Sequence, residues 1–411
     1  MKRIALIRSV DVKQAQPMLF SMSKELSKFA SLKLFYSDGE CGKKDFCGEF
    51  EHFENSLSLV ELADKVLSWN PDVVISISIP DNNALRDAVL ADYLKIKGVN
   101  FIAHPIQSTL LLSNKWETTK YLKSMGVSVP KTVYASGDLI SNRVDSYSSI
   151  YVDVLINELN NLEFPLIAKP LWDSMSQGIK ILKDMEETRS FLSTLTVDYI
   201  FQEYILGELL GIETITHNEN VYFQPLVRKY TSENLVPFDH LRYGPYNGIP
   251  KVLLDRMKKK IRNVCLDLKL NGSIEFEMIY DRNANNIYIL EINPRISGMT
   301  NLSSLISGVN SYTLLGQIEK IDIMVSKERY VAEVPLRKLN DESIEKIKKI
   351  NEIESIQSVS YHTGKQQVKT LIASDSLSQV IKTIFLLNEY GLIPNNIMKE
   401  CLMLNEMSQS D

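Results

Sequence analysis

Two alternating stretches joined by a polar turn constrain the fold of this chain more than any other feature of its sequence. Residues 273–280 and 287–293 both alternate apolar and polar side chains with period two, which is typical of strands with one buried and one polar face. The short polar segment between them predicts an antiparallel hairpin. We therefore expect this part of the chain to be mixed α/β, with antiparallel strands.

The polar face of the predicted hairpin carries carboxylates and an amide. If the hairpin folds symmetrically about Ala284, Glu277 lies opposite Glu291. In the same register, Glu275 lies opposite Asn293. Carboxylates that face each other on a half-buried sheet repel unless a cation lies between them, and hard oxygen ligands favour Mg²⁺ with phosphate and water as its other ligands. The sequence therefore predicts a magnesium and nucleotide site, with an exposed acidic sheet face as the alternative.

A rigid turn directly after the second strand favours the interpretation as a site. The segment Asn293-Pro294-Arg295 fixes a guanidinium beside the carboxylates. Arginine suits a phosphate or a carboxylate because its donors form a fixed fork. An exposed acidic face has no need of such a neighbour.

An apolar strand that ends in a lysine is a second candidate element. Residues 164–169 form this stretch, and the loop that follows, residues 170–178, contains serines and a glycine. A lysine in this position reaches a phosphate held by backbone N–H groups, so Lys169 is a candidate ligand and the loop a candidate lid. A solubilising charge is the alternative for Lys169. Lys115, at the start of a predicted helix over 115–125, reads by itself as a solvent-facing charge.

The first 108 residues alternate short apolar runs with segments of helical period. This rhythm predicts a parallel, Rossmann-like sheet. Its expected strands are residues 4–7, 32–35, 73–77 and 101–103. The first strand-to-helix turn, residues 9–14, lacks a GxGxxG motif, which disfavours a dinucleotide site there.

The charge balance and the N-terminal sequence limit the classes of binding partner that we expect. The chain has 46 Lys+Arg against 51 Asp+Glu, a net charge of −5, and no long basic run, so we expect no nucleic-acid partner. The apolar run before Arg8 is too short for a signal peptide or a membrane span. We therefore expect a cytoplasmic protein without a membrane partner, and the formation of a homodimer stays open.

Five motifs, in order along residues 99–310, resemble those of ATP-grasp enzymes. They are Ser113-Asn114-Lys115 before a helix, the strand Phe164–Lys169, the glycine-containing lid up to Gly178, the hinge Gln202-Glu203-Tyr204-Ile205, and Glu277 with Glu291-Ile292-Asn293-Pro294-Arg295. The last motif is the most specific. The resemblance implies an α/β fold of mixed α+β lobes, with a Rossmann-like domain before the ATP-grasp domain.

The resemblance also implies roles for individual residues. It implies ATP contacts for Lys115, Lys169, Ser174, Ser176, Gly178, Gln202, Glu203, Tyr204 and Ile205. It implies Mg²⁺, or Mn²⁺ in its place, at Glu277, Glu291 and Asn293. Arg295 would stabilise the transferred phosphoryl group or the tetrahedral adduct, because the reaction uses no covalent nucleophile of the protein.

The sequence departs from the family pattern at two places. Leu209 stands where family members usually carry the glutamate that binds ribose, so either Glu208 or Glu213 takes that role or the contact differs. The metal carboxylate is ambiguous as well, because Glu275 and Glu277 share one face of the strand. The sequence of that strand favours Glu277.

The resemblance divides the chain into three parts. Residues 1–108 are the Rossmann-like domain, residues 109–325 the ATP-grasp domain, and residues 326–411 a separate small α+β domain that ends in a polar tail. A mobile lid lobe is expected at about 128–200. Within it, residues 136–162 are expected to be a peripheral insertion.

The function implied by the resemblance is an ATP-dependent ligase that joins a carboxylate to an amine through an acyl phosphate and releases ADP and phosphate. Amino acids or a peptide-like metabolite are the expected substrates. A carboxylase or purine-pathway ligase and an inactive nucleotide-binding regulatory subunit are the alternatives. Basic and aromatic residues cluster at 226–247, where Arg228, His240 and Arg242 are candidate substrate ligands and ordinary loop charges are the alternative.

Overall fold

The computed structural model describes residues 1–141, 148–172, 178–231, 239–316, 329–360 and 366–410. Its strands form three sheets: a parallel sheet near the N-terminus, a small antiparallel sheet and a large antiparallel sheet. Mixed lobes of this kind confirm the predicted α/β fold class. None of the helices in the described part of the chain is both long and apolar enough to span a bilayer.

The parallel sheet has five strands. They are β1 (Lys2–Arg8), β2 (Ala30–Tyr36), β3 (Glu49–His52), β4 (Val73–Ser76) and β5 (Asn100–Ile102). Their order is β3-β2-β1-β4-β5, and all neighbours are parallel. The connecting helices are α1 (Met18–Leu26), α2 (Leu59–Ser68) and α3 (Asp81–Ile96). Strand β3 was not predicted, because Phe50 is its one apolar residue and none of its four residues is fully buried.

Both faces of the parallel sheet are buried, which is why its strands read as continuous apolar runs. In β1, Ile4 and Leu6 pack into one apolar cluster, whereas Ala5 and Ile7 pack into the cluster on the other side. The predicted Rossmann-like arrangement is therefore confirmed.

Two helices lead from the parallel sheet to the rest of the chain. They are α4 (Ile106–Ser113) and α5 (Lys115–Ser124). The Asn114 side chain caps α5, because its oxygen accepts hydrogen bonds from the backbone N–H groups of Trp116 at 3.0 Å and Glu117 at 3.1 Å. The cap sets the start of α5 and so fixes the position of Lys115, its first residue.

The small sheet has four antiparallel strands in the order β6-β9-β7-β8. They are β6 (Thr132–Ala135), β7 (Leu166–Pro170), β8 (Lys180–Leu182) and β9 (Tyr199–Glu203). Helices α6 (Gly137–Ile140), α7 (Ser148–Leu159) and α8 (Met185–Leu192) accompany them. Leu155 and Leu159 of α7 are buried in the apolar cluster of this sheet. The prediction of a peripheral insertion at 136–162 was therefore wrong for α7, which forms part of the core of the lobe.

The large sheet contains the predicted hairpin. Its strands are β10 (Glu208–His217), β11 (Asn220–Phe223), β12 (Val227–Lys229), β13 (Arg242–Gly244), β14 (Gly272–Asp281), β15 (Asn286–Asn293), β16 (Tyr330–Leu336), β17 (Ile353–Ser360) and β18 (Gln366–Ser374). Their order is β15-β14-β10-β12-β13-β16-β18-β17, and β11 pairs with β10. The helices around this sheet are α9 (Lys251–Asp267), α10 (Thr300–Ser307), α11 (Ser311–Gly316), α12 (Asp341–Ile347), α13 (Leu377–Glu389) and α14 (Asn395–Ser410).

The C-terminal strands continue the large sheet instead of forming a sheet of their own. Strand β16 pairs with β13, and β18 and β17 follow at the edge. The expected separate unit at 326–411 thus shares a sheet with the central part of the chain. Its expected polar tail is helix α14, which runs to Ser410.

The two faces of the large sheet differ in character. The core face carries apolar residues such as Ile212, Phe276 and Met278, which pack with Ile261 of α9. The opposite face, here called the site face, carries the predicted carboxylates. Residues that are opposite each other on antiparallel neighbours share a face, so the strand register determines the face of each side chain.

Candidate functional site

The hairpin of β14 and β15 has the register that the sequence predicts. Glu277 lies opposite Glu291, and Glu275 lies opposite Asn293. The register shifts directly after Glu277, where a bulge leaves Leu290 without a partner on β14. The site face therefore presents two rows of oxygen ligands, one on each strand of the hairpin.

A buried lysine from β12 lies against the first row. Lys229 Nζ contacts the Glu275 carboxylate and donates to Glu277 Oε1 at 2.7 Å. Burial alone would lower the pKa of Lys229, but the two carboxylates outweigh it and raise the pKa. Lys229 thus supplies the cation that opposed carboxylates require. The sequence analysis placed this residue only within a basic and aromatic segment and assigned it no role.

The second row is less well neutralised. Glu291 has Lys115 Nζ at 3.6 Å, a longer separation than those around Lys229. Burial raises the pKa of Glu291, and the nearby Glu277 charge adds to this effect, whereas Lys115 and Lys169 oppose it. A carboxylate with a raised pKa beside another carboxylate is a position where a further cation stabilises the ionised form.

Lys169 in β7 approaches the same carboxylates from the small sheet. Burial lowers the pKa of its amine to about 8, an effect that the Glu291 charge reduces and the Lys115 charge increases. Among the described residues, no carboxylate lies within ion-pair distance of this amine. A buried ammonium without a close partner is suited to an anionic ligand.

Arg295 connects the hairpin to the parallel sheet. Its Nε donates to Asp81 Oδ1 at 2.6 Å, and its Nη2 donates to Asn293 Oδ1 at 3.1 Å. Asp81 is the first residue of α3. This pair was not predicted, because the two residues are far apart in the chain: Asp81 begins a helix of the parallel sheet, and Arg295 follows the last strand of the hairpin.

The predicted hinge lies at the end of β9. Gln202 is buried and its Nε2 donates to Thr132 Oγ1 at 3.0 Å, whereas its Oε1 has no hydrogen-bond partner among the described residues. The Tyr204 N–H donates to the Pro165 carbonyl at 3.0 Å. The Glu203 carboxylate accepts from Lys131 Nζ at 3.0 Å. The unpartnered oxygen of Gln202 is a ready acceptor for a ligand N–H group.

The predicted lid loop is described only at its end. Ser174 and Ser176 lie outside the described residues, as does most of the loop. Gly178 is described, with a φ of +74° that favours glycine. The Tyr199 hydroxyl donates to the Gly178 carbonyl at 3.2 Å, which holds the end of the loop against β9.

Two of the predicted ligands lie on the core face, away from the carboxylates. Glu208 and Arg228 lie on the same face as the core residue Leu210. Arg228 is opposite Leu210 on the neighbouring strand, and Glu208 is two residues before Leu210 on the same strand. Arg228 Nη1 donates to Glu208 Oε1 at 2.9 Å. Arg282 Nη2 donates to the same oxygen at 3.1 Å. The structure therefore does not place Arg228 or Glu208 beside the hairpin carboxylates.

His240 and Glu213 are also engaged elsewhere. The His240 ring contacts the Glu400 carboxylate of α14, and the Leu241 N–H donates to the same carboxylate at 2.8 Å. These contacts anchor α14, and the substrate role of His240 stays a prediction. Glu213 lies on the site face but is fully buried, and it accepts from three hydroxyl groups. The donors are those of Ser273, Thr300 and Ser311.

Arg242 is the one candidate substrate ligand of the three that lies on the site face. Its Nη1 is 3.4 Å from Glu333 Oε1, and its charge helps to lower the pKa of Glu277. Arg242 therefore extends the polar row from the hairpin toward β16 and β18.

The oxygen ligands of the site suit a hard cation that keeps water or phosphate oxygens as further ligands. Within the described ranges, no three His, Cys, Asp or Glu side chains form a complete metal centre. Glu277, Glu291 and Asn293 instead offer two carboxylates and an amide on facing strands. Magnesium is commonly bound in this way, with phosphate and water oxygens completing the octahedron. The residues fit the predicted ion if a nucleotide phosphate lies beside them.

Comparison with known proteins identifies the central part of the chain. Residues 112–299 match the family model of the ATP-grasp domain. The carbamoyl phosphate synthase large chain of Clostridium acetobutylicum is 21% identical over 262 residues, which are 60% of this chain and 23% of that protein. The chain therefore spans less than a quarter of the length of that relative.

Solved structures match over nearly the whole chain. The L-amino acid ligase of Bacillus licheniformis superposes with a TM-score of 0.71 at 15% identity, covering 95% of this chain and 97% of that one. The biotin carboxylase domain of the Hydrogenobacter thermophilus 2-oxoglutarate carboxylase, solved with MgADP and bicarbonate, has a TM-score of 0.71 at 14% identity and covers 93% and 88%. The resemblance and the fold class predicted from the sequence are confirmed.

Proposed function

Since this chain carries an ATP-grasp domain, we propose that it is an ATP-dependent ligase that joins a carboxylate to an amine through an acyl phosphate. The observation that carries the proposal is the opposition of Glu277 and Glu291 on the site face. Three lysines from three different elements surround this pair. They are Lys115, Lys169 and Lys229.

ATP is proposed to lie between the small and the large sheet. Lys169 supports this position because it is buried, positively charged below a pH of about 8, and without an ion-pair partner among the described residues. The free Oε1 of Gln202 would accept a hydrogen bond from an exocyclic amine of the base. Mg²⁺, or Mn²⁺, would be held by Glu277, Glu291 and Asn293 and would neutralise phosphate charge.

In the proposed reaction, an oxygen of the substrate carboxylate attacks the γ-phosphorus of ATP, and ADP leaves. The amine nitrogen then attacks the acyl carbon, phosphate leaves with the shared oxygen, and the nitrogen loses a proton. Negative charge builds up on the transferred phosphoryl group and later on the tetrahedral adduct. Fixed cations stabilise these charges without reorganisation, and Arg295 and Lys229 are the groups proposed for this role.

Arg295 is held for this role by three acceptors: Asp81 at Nε, the Ile296 carbonyl at Nη1 and Asn293 Oδ1 at Nη2. The second N–H of Nη1 and that of Nη2 are the donors proposed for a ligand. The carboxylate of the acid substrate is proposed to meet this guanidinium. Amino acids or peptide-like metabolites are the proposed acids and amines. No nucleophilic side chain of the protein is required, so the intermediate stays non-covalent.

The proposed acyl-phosphate mechanism can be tested by following the carboxylate oxygen and the nucleotide product. An acid labelled with ¹⁸O in its carboxylate should transfer one label to released phosphate, and ADP should form in step with the amide. Mass spectrometry of the phosphate and chromatography of the nucleotides measure both results. Formation of AMP and pyrophosphate would contradict the mechanism. Turnover with bicarbonate in place of the acid would support a carboxylase instead.

A further inference from the structure

A cavity beside the proposed active site is formed by three separate parts of the chain. The parallel sheet contributes Arg8 and Gln14, the segment after the hairpin contributes Ser297 and Asn301, and strand β18 contributes Lys369. Ile79 and Gly298 line it as well. These two residues are close in sequence to the Asp81–Arg295 ion pair, so the cavity adjoins the place proposed for the acyl group.

The first wall of this cavity holds a buried guanidinium, on which the charges of Asp11 and Asp38 act only from beyond ion-pair distance. The Arg8 guanidinium is fully buried, at 1% exposure, and it donates to the backbone carbonyls of Asp11 at 3.0 Å and Ile77 at 3.3 Å. The Tyr312 hydroxyl is its side-chain partner. No carboxylate of the described residues lies within ion-pair distance of Arg8. Buried charges are normally paired, because removing an ion from water is costly.

The second wall is also more positive than negative. The Lys369 side chain is 12% exposed, and its Nζ donates to Glu333 Oε2 at 2.7 Å. The same carboxylate has Arg242 at 3.4 Å on its other oxygen. The Glu333 carboxylate is therefore shared by two cations, of which Arg242 also acts on Glu277, and the cations that line the cavity itself are Arg8 and Lys369. An anionic group of a ligand in the cavity would pair with both.

We propose that this cavity binds a second anionic group of the acid substrate, a carboxylate or a phosphate, with Arg8 and Lys369 as its cationic ligands. The inference rests on the proposed ligase function and specifies its substrate class. The reacting carboxylate lies at Arg295, and the second anion lies in the cavity. Substrates with one anionic group leave Arg8 without a close anionic partner and Lys369 with Glu333 alone, and they are used poorly.

The test compares acids that differ only in the second anionic group. Succinate is paired with butyrate, L-glutamate with L-norvaline, and O-phospho-L-serine with L-serine, and hydroxylamine serves as the amine because it traps acyl phosphates as hydroxamates. ADP and hydroxamate are measured with the full chain and MgATP. We expect kcat/KM to be higher for the dianionic members by about tenfold or more. A preference for carboxylates or for phosphate distinguishes the two sources of the anion.

Variants of Lys369 test its part in this preference. Lys369→Gln should lower kcat/KM for dianionic acids by about tenfold, with unchanged values for the monoanionic partners and an unchanged KM for ATP. Lys369→Arg should retain the preference. Lys382→Gln, an exposed lysine of α13, is the matched control. Arg8 is kept, because its guanidinium also holds backbone carbonyls.

The outcomes separate this inference from the proposed function. Equal use of both members of each pair, or an equal loss for both in Lys369→Gln, would overturn the second-anion site and leave the ligase intact. Absence of ADP with every acid would overturn the ligase. Calorimetric titration with succinate and O-phospho-L-serine then tests anion binding in the cavity without turnover. Binding that is lost in Lys369→Gln supports the second-anion site. Absence of binding by the unmodified chain overturns it.

Discussion

The two faces of the large sheet use the same types of residue for different purposes. Arg228 and Lys229 are neighbours in sequence and point to opposite faces of β12. On the core face, Arg228 and Arg282 share the Glu208 carboxylate at the edge of an apolar core. On the site face, Lys229 is buried between two carboxylates that belong to a larger polar row.

The two faces differ in whether each buried charged group has a close partner, and not in the presence of ion pairs. On the core face, Arg228 and Arg282 both donate to Glu208, and the Tyr246 hydroxyl also contacts this carboxylate. The site face contains Lys169 without a described ion-pair partner and Glu291 with a raised pKa. Incomplete neutralisation of buried groups therefore identifies the functional face, because such groups are stabilised by a ligand.

The largest expected effect is a difference in catalytic activity between variants on the two faces. Glu291→Gln should lower ADP formation by about 100-fold or more, because it removes a fixed charge from the site. Glu208→Gln on the core face should leave kcat within about threefold, since surface-near changes away from the site have small effects. A coupled ADP assay with circular dichroism as the folding control measures both. Similar losses in the two variants would contradict the assignment of the faces.

The two neighbouring cations of β12, Arg228 and Lys229, should differ in their contribution to the free energy of unfolding. Lys229→Met leaves the buried Glu275 and the partly exposed Glu277 without their shared cation and should lower the free energy of unfolding by about 3 kcal/mol. Arg228→Met should cost about 1 kcal/mol, because its group is closer to solvent. Millimolar Mg²⁺ should restore part of the loss in Lys229→Met only. Urea unfolding with and without Mg²⁺ provides the measurement, and a loss that Mg²⁺ does not change would count against a cation site.

Within the site face, the two glutamates of β14 should differ in their effect on metal use. The Glu277 side chain is 28% exposed, whereas that of Glu275 is 6% exposed, so Glu277 is the one that reaches the open side. Glu277→Gln should raise the half-saturating Mg²⁺ concentration by about tenfold, and Glu275→Gln should change it less. Steady-state rates over a Mg²⁺ titration measure this. Equal shifts would indicate a shared ligand or a different register.

The smallest effect concerns pH and the lysine of the small sheet. The protonated form of Lys169 is the one that attracts phosphate, and its pKa of about 8 means that rising pH removes this charge from the free protein. The affinity for ATP without Mg²⁺ should therefore fall by about fivefold from about pH 7 to about pH 9. Fluorescence titration measures it. The same decline in Lys169→Met would assign the effect to another group.

Local periodicity predicted the hairpin, because the period of two fixes which residues of each strand share a face. The pairs nearer the turn are offset by one residue from the predicted register, and the bulge after Glu277 restores the predicted pairing of Glu277 with Glu291. The parallel sheet was predicted for a similar reason, because burial on both faces gives continuous apolar runs. Strand β3 escaped prediction since it is an exposed edge strand.

Residues whose role depends on distant strands were not predicted. Strand β12 has three residues, so its sequence shows no period, and only its pairing with β10 places Lys229 on the site face and Arg228 on the core face. The partner of Arg295 is Asp81, more than two hundred residues away in the chain. His240 was assigned to substrate on residue type alone, and the position of α14 explains its actual contact with Glu400.

The pairing of β13 with β16 has a consequence for synthesis of the chain on the ribosome. Strand β13 has three residues and emerges well before its partner Tyr330–Leu336 is made. Until then, the nascent large sheet ends in an unpaired edge, which is a template for association with other chains. The same delay keeps Lys369 away from the site, so the polypeptide acquires its full set of cations only after β18 has been synthesised.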